Sequence, residues 1–474
     1  VKSPQHIHLI GICGTAMASL AGLLQLNGHR VTGSDAAVYP PMSDLLASLG
    51  ITVAQPYGSA NLTPRPDVVV VGNAISRGNP ELEAALELRL PLRSMADLLH
   101  EEFLLGRTPL VVAGTHGKTT TSSMLAWIFE TAAQSDPRFT PSFLIGGVVE
   151  NFGVSFALRD GKYFVLEGDE YDTAFFDKGP KFLHYFPQSI ILTHVEFDHA
   201  DIYNSLAEVK TAFRRLVNLV PANGRIVAFD GHENVDECVA RAFAPVERYG
   251  FKPGSTWQIT SLTQTPEHTL WTVSHDGSPW AEFTMPMAGE HNALNATAAA
   301  ALAASEGIAP ETIVRALATF RSVKRRLEVR AVVNGITVID DFAHHPTAIR
   351  ETLRALRGQY PEARLWAVLE PRSNTLRRNI FAKELVDSLA LADKVVVANV
   401  FQAGNIPEAE RLHPELVVAG LTERGLSARL LADADAIVAE IAPELKSGDV
   451  VALLSNGAFG GIYEKLPQRL KTLA

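Results

Sequence analysis

The sequence predicts an α/β fold of three domains with parallel sheets, and three observations predict it. The chain has 474 residues, and at roughly 150 residues per domain three domains is the natural expectation. Short apolar runs of strand length alternate along it with longer runs of helical spacing, the pattern of parallel sheets covered by helices. Twice such a strand meets such a helix through a glycine-rich turn, at Gly11 to Gly14 and at Gly114 to Gly117.

The first domain is expected over residues 1–106 and reads as Rossmann-like. "HIHLIGI" is a short strand, and "TAMASLAGLLQLNG" is a helix that stops at Asn27-Gly28. "HRVTGSD" is a second strand, "SDLLASLG" a helix ending at Gly50, and "PDVVVVGN" a buried strand. The boundary is placed in "HEEFLLGRTP", which carries charge, Gly106 and Pro109. The central domain, 107–322, is an α/β unit built around "LVVAGTHGKTTTSSMLAWIF", in the manner of a P-loop ATPase. The strands "YFVLEGDE", "SIILTHVE" and "GRIVAFDG" follow. Two-residue alternation in "TWQITSLTQ" and "HTLWTVSHDGSPWAEFTM" marks an antiparallel hairpin region turned at Asp276-Gly277. The alanine-rich "NALNATAAAALAASEG" is a helix. The third domain, 323–474, starts at the basic cluster "KRRLEVR" and is again Rossmann-like. It has a hairpin about Asn334-Gly335 and buried strands in "RLWAVLE", "KVVVANV" and "DVVALLSNG".

Composition narrows the function. A formal net charge of −10 argues against nucleic acid or an anionic membrane as partner, without excluding a local basic pocket for phosphates. Two cysteines, Cys13 and Cys238, make neither a disulfide framework nor a zinc motif and fit a reducing compartment. No stretch reads as a signal peptide or reaches the 18 or so apolar residues of a membrane span. A cytoplasmic protein is expected.

The turn "GTHGKTT" lies between strand and helix. Gly114, Thr115 and Gly117 would aim backbone N–H groups at phosphate oxygens, beside Lys118, Thr119 and Thr120. The lysine supplies a point charge, and the Thr119 hydroxyl can reach magnesium. The earlier turn, "GICGTAM", keeps Gly11 and Gly14 but lacks the third glycine of the dinucleotide fingerprint. A diphosphate at the start of the helix, near Thr15, is therefore expected more than a nicotinamide cofactor. Asp35 ends the next strand, where an acid could meet a ribose hydroxyl. Glu167 ends "YFVLE" and suits magnesium, which prefers oxygen ligands. His199 lies in "HVEFDHAD", and His344 in "HHP" follows Asp340 and Asp341. Asn292 and Asn295 stand three apart on one helix face, and Arg325 and Arg326 offer a phosphate clamp.

In this order the motifs "GTHGKTTT", "EGDEYD", "DHAD", "HNALNA", "KRRLE" and "DDFAHHPT" resemble the Mur ligases, the ATP-dependent amide ligases of peptidoglycan synthesis. The resemblance covers the whole chain. Two subgroups share a UDP-N-acetylmuramate substrate: one adds L-alanine, the other attaches recycled L-alanyl-γ-D-glutamyl-meso-diaminopimelate. "VYPPMSDLL", "GNAISRGNPELE", "EYDTAFFDKGPKFLHY", "EPRSNT" and "LLSNGAFGG" look like the second. The alanine-adding enzymes have a more glycine-rich first turn and a histidine-arginine pair where "PRSN" stands, so an L-alanine ligase is the alternative.

The resemblance implies roles. Lys118 and Thr119 would grip ATP phosphates and magnesium, Glu167 and His199 would help hold the metal, and Asn292, Asn295, Arg326, Asp341 and His344 would face the nucleotide. Gly11, Gly14, Asp35 and the segment Ala74, Ile75 and Ser76 would hold the UDP-sugar. Lys118, His199 and Arg326 are the candidate catalytic residues. Lys210 lies near the position of a lysine that is carbamylated in several relatives, but this subgroup resembles those without the modification. Arg372, Ser373, Asn374, Ser455 and Asn456, at strand ends of the third domain, are expected to recognise the peptide's carboxylates. The expected reaction forms an acyl phosphate from the muramate carboxylate and ATP, which the peptide's amine then attacks.

Overall fold

The computed structural model describes residues 3–38 and 42–473. Tyr39, Pro40 and Pro41 of the "VYPPMSDLL" segment lie outside the described residues. The N-terminal block is a five-stranded parallel sheet in the spatial order Val53–Ala54, Arg30–Ser34, His6–Ile10, Val68–Val71, Leu92–Ser94. The order reverses between His6–Ile10 and Val68–Val71, which opens a crevice beyond their carboxyl ends. Gly11, at φ +84°, turns the chain there and lets Ile75 of the neighbouring loop pack against it.

The central block carries a ten-stranded sheet. Its parallel middle includes Thr108–Ala113 between Ser189–Leu192 and Tyr163–Gly168. Each of these strands is an almost unbroken apolar run because helices cover both faces. Helix Lys118–Ala133 packs on one face, with the alanine-rich helix Glu290–Ser305 beside it. Small side chains let the two backbones approach closely. At the far edge Trp257–Gln264, Thr269–His275 and Ser278–Met285 form an antiparallel meander. Its last turn, Asp276-Gly277, has both residues at positive φ, as a two-residue hairpin requires.

The third block is a six-stranded sheet in the order Glu328–Val333, Ile336–Asp341, Val450–Leu454, Leu365–Leu369, Lys394–Ala398, Ser427–Leu431. Only the first pair is antiparallel, turned at Asn334-Gly335, again with both residues at positive φ. The connection from the central block is clamped at its start. Val323 bridges Val149, and the Lys324 N–H donates to the Val148 carbonyl at 3.0 Å. Ser322, Arg325 and Leu327 all take left-handed φ, uncommon for non-glycine residues. The kinked path sends two consecutive arginines opposite ways. Arg325 ties into the third block through Asp340, the Ser455 and Gly457 carbonyls and the Tyr463 hydroxyl. Arg326 reaches back toward the central block.

The N-terminal block docks on the central block through helix Thr15–Leu26. The Ser19 and Ser155 hydroxyls lie 2.9 Å apart in the buried contact, and Gly22 leaves room for the Phe156 ring. Beside them His184 bridges Asp97 of the N-terminal block at 2.9 Å and Asp177 of the central block at 2.8 Å. The hydrogen bond to Asp97 is the largest influence on the imidazole and raises its pKa above the usual 6.5, against the effect of burial. The same bond draws Asp97 down to about 2. A raised histidine stabilises fully below its unfolded value and loses that contribution as pH climbs through the folded one. A depressed aspartate stabilises fully above its unfolded value and loses that contribution as pH falls through the folded one. The bridge is therefore strongest between about pH 4 and pH 6.5. We predict that the stability difference between wild type and His184→Ala, roughly 1–2 kcal/mol for a partly exposed charged hydrogen bond, is largest in that window and shrinks above it. Unfolding midpoints measured from pH 4 to 9 check this; a difference that grows with pH contradicts it.

Candidate active site

The loop after strand Thr108–Ala113 is shaped by what surrounds it. Gly114 has φ +135°, and a Cβ there would lie 2.1 Å from the Thr193 hydroxyl. Gly117 has φ +81°, and a Cβ there would lie 2.6 Å from Asn295 Oδ1. Both positions need glycine. Lys118 starts the following helix and folds back so that Nζ donates to the Gly114 carbonyl at 2.7 Å. Its ammonium is half-buried and paired with Glu170 Oε2 at 2.8 Å. Burial works against the charge, but Glu170 outweighs it and raises the lysine pKa.

Glu170 is itself buried, and its other oxygen lies 3.1 Å from His199 Nε2. His199, in a left-handed conformation, donates its backbone N–H to Asp198 at 2.7 Å. Burial opposes a charge on the imidazole, yet the hydrogen bond and charge of Glu170, helped by Asp198, raise it to about 9. In this arrangement His199 is a protonated partner of Glu170 at neutral pH. Its Nε2 is taken up by Glu170 in this arrangement.

Glu167 has a different environment. It is half-buried and accepts from the Thr119 hydroxyl at 3.0 Å and from the Gly146 N–H at 2.8 Å. Among the described residues no basic side chain forms an ion pair with it. Burial pushes its pKa up, against the pull of Lys118, the Gly146 N–H and Arg326. A hydroxyl beside an under-neutralised carboxylate is a hard oxygen donor pair, which suits magnesium. Arg326 Nη2 approaches the same Thr119 hydroxyl at 3.4 Å from the third block's side.

Two cavities meet this region. One, of about 360 Å³, runs from Gly14 and Thr15 at the first turn, past Asn73 and Tyr171, to His199. The second, of about 290 Å³, is lined by Gly117, Thr120, Asn292, Asn295, Arg326 and Asp341, together with His291 and Glu351. The structure thus brings together the sequence candidates of the phosphate loop, the helix Glu290–Ser305 and the third block. Some candidates also brace the fold. Asp35 accepts the Cys13 N–H at 2.9 Å and so holds the first glycine turn. Asn292 donates to the Ala288 carbonyl, and Asp341 accepts from the Leu327 and Ala343 N–H groups. Ile75 is buried, whereas Ala74 and Ser76 are exposed at the rim of the crevice. His344 is held by the Phe342 carbonyl at 2.9 Å and lies 4.0 Å from Asp198. Lys210 pairs with Glu237.

The strand-end residues of the third block fall into two groups. Ser455 is fully buried and donates to Glu370 at 2.6 Å, while Ser373 donates to the His344 carbonyl, so both support the loops. Arg372 lies 3.7 Å from the centre of the Phe401 ring, and Asn456 Oδ1 is buried without a hydrogen-bond partner. Asn374 reaches across to the central block and donates to Asp201 at 2.8 Å. Next to it Thr375 donates to Asp198 at 2.5 Å. Glu170, Asp198, Thr375 and Lys181 were not among the sequence candidates. The acidic ones stand inside the quoted "EGDEYD" and "DHAD" motifs, so a search for the counter-charge of a buried lysine could have found them.

A glycine-cradled lysine, an oxygen pair for a hard cation and a converging arginine, at the carboxyl ends of parallel strands, define a phosphate-handling α/β enzyme. Family models give the relationship. Residues 6–104 match the Mur ligase family catalytic domain, 112–303 the Mur ligase middle domain, and 325–457 the Mur ligase glutamate ligase domain. The chain belongs to the Mur ligase family. It is 44% identical, over 97% of its length and 97% of the relative's, to the UDP-N-acetylmuramate–L-alanyl-γ-D-glutamyl-meso-2,6-diaminoheptanedioate ligase of Escherichia coli (strain K12). It is 34% identical, over 98% of its length and 97% of the relative's, to a UDP-N-acetylmuramate–L-alanine ligase of Acidithiobacillus ferrooxidans. The crystal structure of a murein peptide ligase from Psychrobacter arcticus superposes with a TM-score of 0.73 at 36% identity, covering 99% of both chains.

The Thr375–Asp198 bond carries a prediction about how the blocks are held. Thr375→Val leaves a buried carboxylate short of a donor, a loss of about 1–3 kcal/mol. Proteolytic cleavage in the 321–327 linker should then speed up by about tenfold relative to wild type. An unchanged rate would show that the bond does not hold the blocks together.

Proposed function

We propose that this protein joins the carboxylate of UDP-N-acetylmuramate to the free amine of L-alanyl-γ-D-glutamyl-meso-diaminopimelate, consuming ATP. The observation that carries the reading is the cavity that connects the first glycine turn with His199, beside the phosphate loop. It gives a diphosphate-anchored sugar a path to the place where Lys118, Thr119 and Arg326 converge. The 44% identity to a relative named for that tripeptide, against 34% to one named for L-alanine, supports the choice of amine. ATP and UDP-sugar are cytoplasmic metabolites, so the reaction would belong in the cytoplasm; no helix among the described residues is long and apolar enough to cross a membrane.

The mechanism follows from charge. A carboxylate is a poor electrophile and becomes reactive once phosphorylated. Its oxygen attacks the γ-phosphorus in line, ADP leaves, and an acyl phosphate forms. The amine then attacks the carbonyl, phosphate departs and the nitrogen gives up its proton. The first step brings two anions together, so positive charge must already be in place. Lys118 would meet the phosphates from the loop and Arg326 from the third block, and the protonated His199 would face the carboxylate end of the sugar cavity. Thr119 and Glu167 would hold magnesium, which supplies further neutralisation of the phosphate oxygens. Asn292, Asn295, Asp341 and His344 would surround the nucleoside. Recognition of the peptide would fall to the loop 372–378. There Arg372 and Arg378 have only long ion pairs of 3.6 Å, which leaves positive charge for carboxylates. The unpartnered Asn456 oxygen offers an acceptor for an N–H.

Parallel assays of ATP-dependent ligation with L-alanine, tripeptide and tetrapeptide test this directly. The tripeptide should be used at least a hundredfold more efficiently than L-alanine; the reverse order would assign the alanine-adding reaction. Oxygen-18 in the muramate carboxylate should appear in the released phosphate. Lys118→Ala should cut kcat by about a thousandfold or more, the scale of losing a principal transition-state charge, and full activity in that variant would remove the loop from the chemistry.

A further inference from the structure

We propose that His116, Glu196 and His345 form a binding site for one divalent transition-metal ion of the zinc class at the seam between the central and third blocks. The three residues come from distant parts of the chain. His116 lies in the phosphate loop, Glu196 follows strand Ser189–Leu192, and His345 caps the helix Pro346–Gln359 of the third block. One ligand atom from each lies within 4.8 Å of the others. His116 Nε2 is 2.8 Å and His345 Nδ1 3.7 Å from the same Glu196 oxygen. Donors bound to tetrahedral zinc at about 2.0–2.1 Å sit about 3.4 Å apart, so small side-chain rotations complete three corners. His232 Nε2, 3.6 Å from the other Glu196 oxygen, is a fourth donor within reach.

The donor set chooses the ion. Two imidazoles and one carboxylate favour zinc, cobalt or nickel, whereas magnesium favours oxygen and keeps its waters. That separates this site from the Thr119–Glu167 pair. His345 is buried, and burial keeps its ring neutral and able to ligate. Its Nδ1 only accepts a long bond, 3.3 Å, from the Thr347 N–H. A bound ion would fasten the phosphate loop to the third block and make block closure depend on the metal.

The test titrates cobalt(II) into the metal-stripped full-length protein in the presence of excess magnesium, which fills oxygen-donor sites. Visible d–d absorption reports nitrogen-containing, low-coordinate cobalt. One cobalt per chain is expected. Affinity should fall at least tenfold in His345→Asn, whose amide still caps the helix, and in His345→Gln, with circular dichroism confirming that each is folded. His199→Ala should retain the cobalt signal. Absence of the bands in wild type, bands that persist with unchanged affinity in a folded His345 variant, or bands that vanish in a folded His199→Ala would each overturn the proposal.

Discussion

The Lys118 side chain is largely withdrawn from solvent, where a charge needs a partner. Its partner Glu170 is fully buried and is shared with a second cation, His199. His199 is steadied by Asp198, and Asp198 takes its remaining donor, Thr375, from the third block. A chain of charges and hydrogen bonds thus runs from the phosphate loop to a residue 257 positions later. Each link is required by the one before it. Replacing one partner alone would strand the next, and breaking a buried pair costs far more than the pair contributes.

The same chain explains why the site lies where the blocks meet. The first cavity is lined by loops of the first and central blocks and the second by residues of the central and third blocks. On the proposed reading, no single sheet would supply both an anchor for a sugar diphosphate and a grip on ATP. The first turn and the phosphate loop belong to different blocks, and Arg326 belongs to the connection with the third. Its neighbour Arg325 is tied to the third block, so movement of that block carries Arg326 with it. The left-handed residues of the connection set the two side chains in opposite directions, a local strain retained for placement.

Much of this was legible in the sequence because the signals are local. Buried parallel strands read as apolar runs, "HDGS" and "VNGI" read as hairpins, and "GTHGKTT" reads as a phosphate loop whatever lies around it. Strands Val246–Gly250 and Ser427–Leu431 were not legible, since both are only half-buried over much of their length and mix charge with apolar residues. The partners of the charge chain were not legible for another reason. Glu170 and Lys118 are 52 positions apart, Thr375 and Asp198 177, and nothing in either neighbourhood announces the other. His199 shows the limit from the opposite side. "DHAD" marks it as functional, but its protonation follows from a carboxylate that only the fold brings near.

That protonation bears on the order of events. With Glu170 shared between Lys118 and His199, the cleft without substrate already balances its own charges. On the proposed reading, an incoming polyphosphate would compete with Glu170 for Lys118, and the muramate carboxylate would compete with it for His199. Each anion that enters loosens one hold on Glu170, and Glu170 in turn sits one residue from Asp169, which is paired with Lys181 at the sugar cavity. The two substrates would then act on one buried carboxylate from opposite sides. Once one cation is drawn away, Glu170 would hold the other more tightly, so on the proposed reading the two anions would oppose each other's binding through Glu170 although they occupy separate cavities.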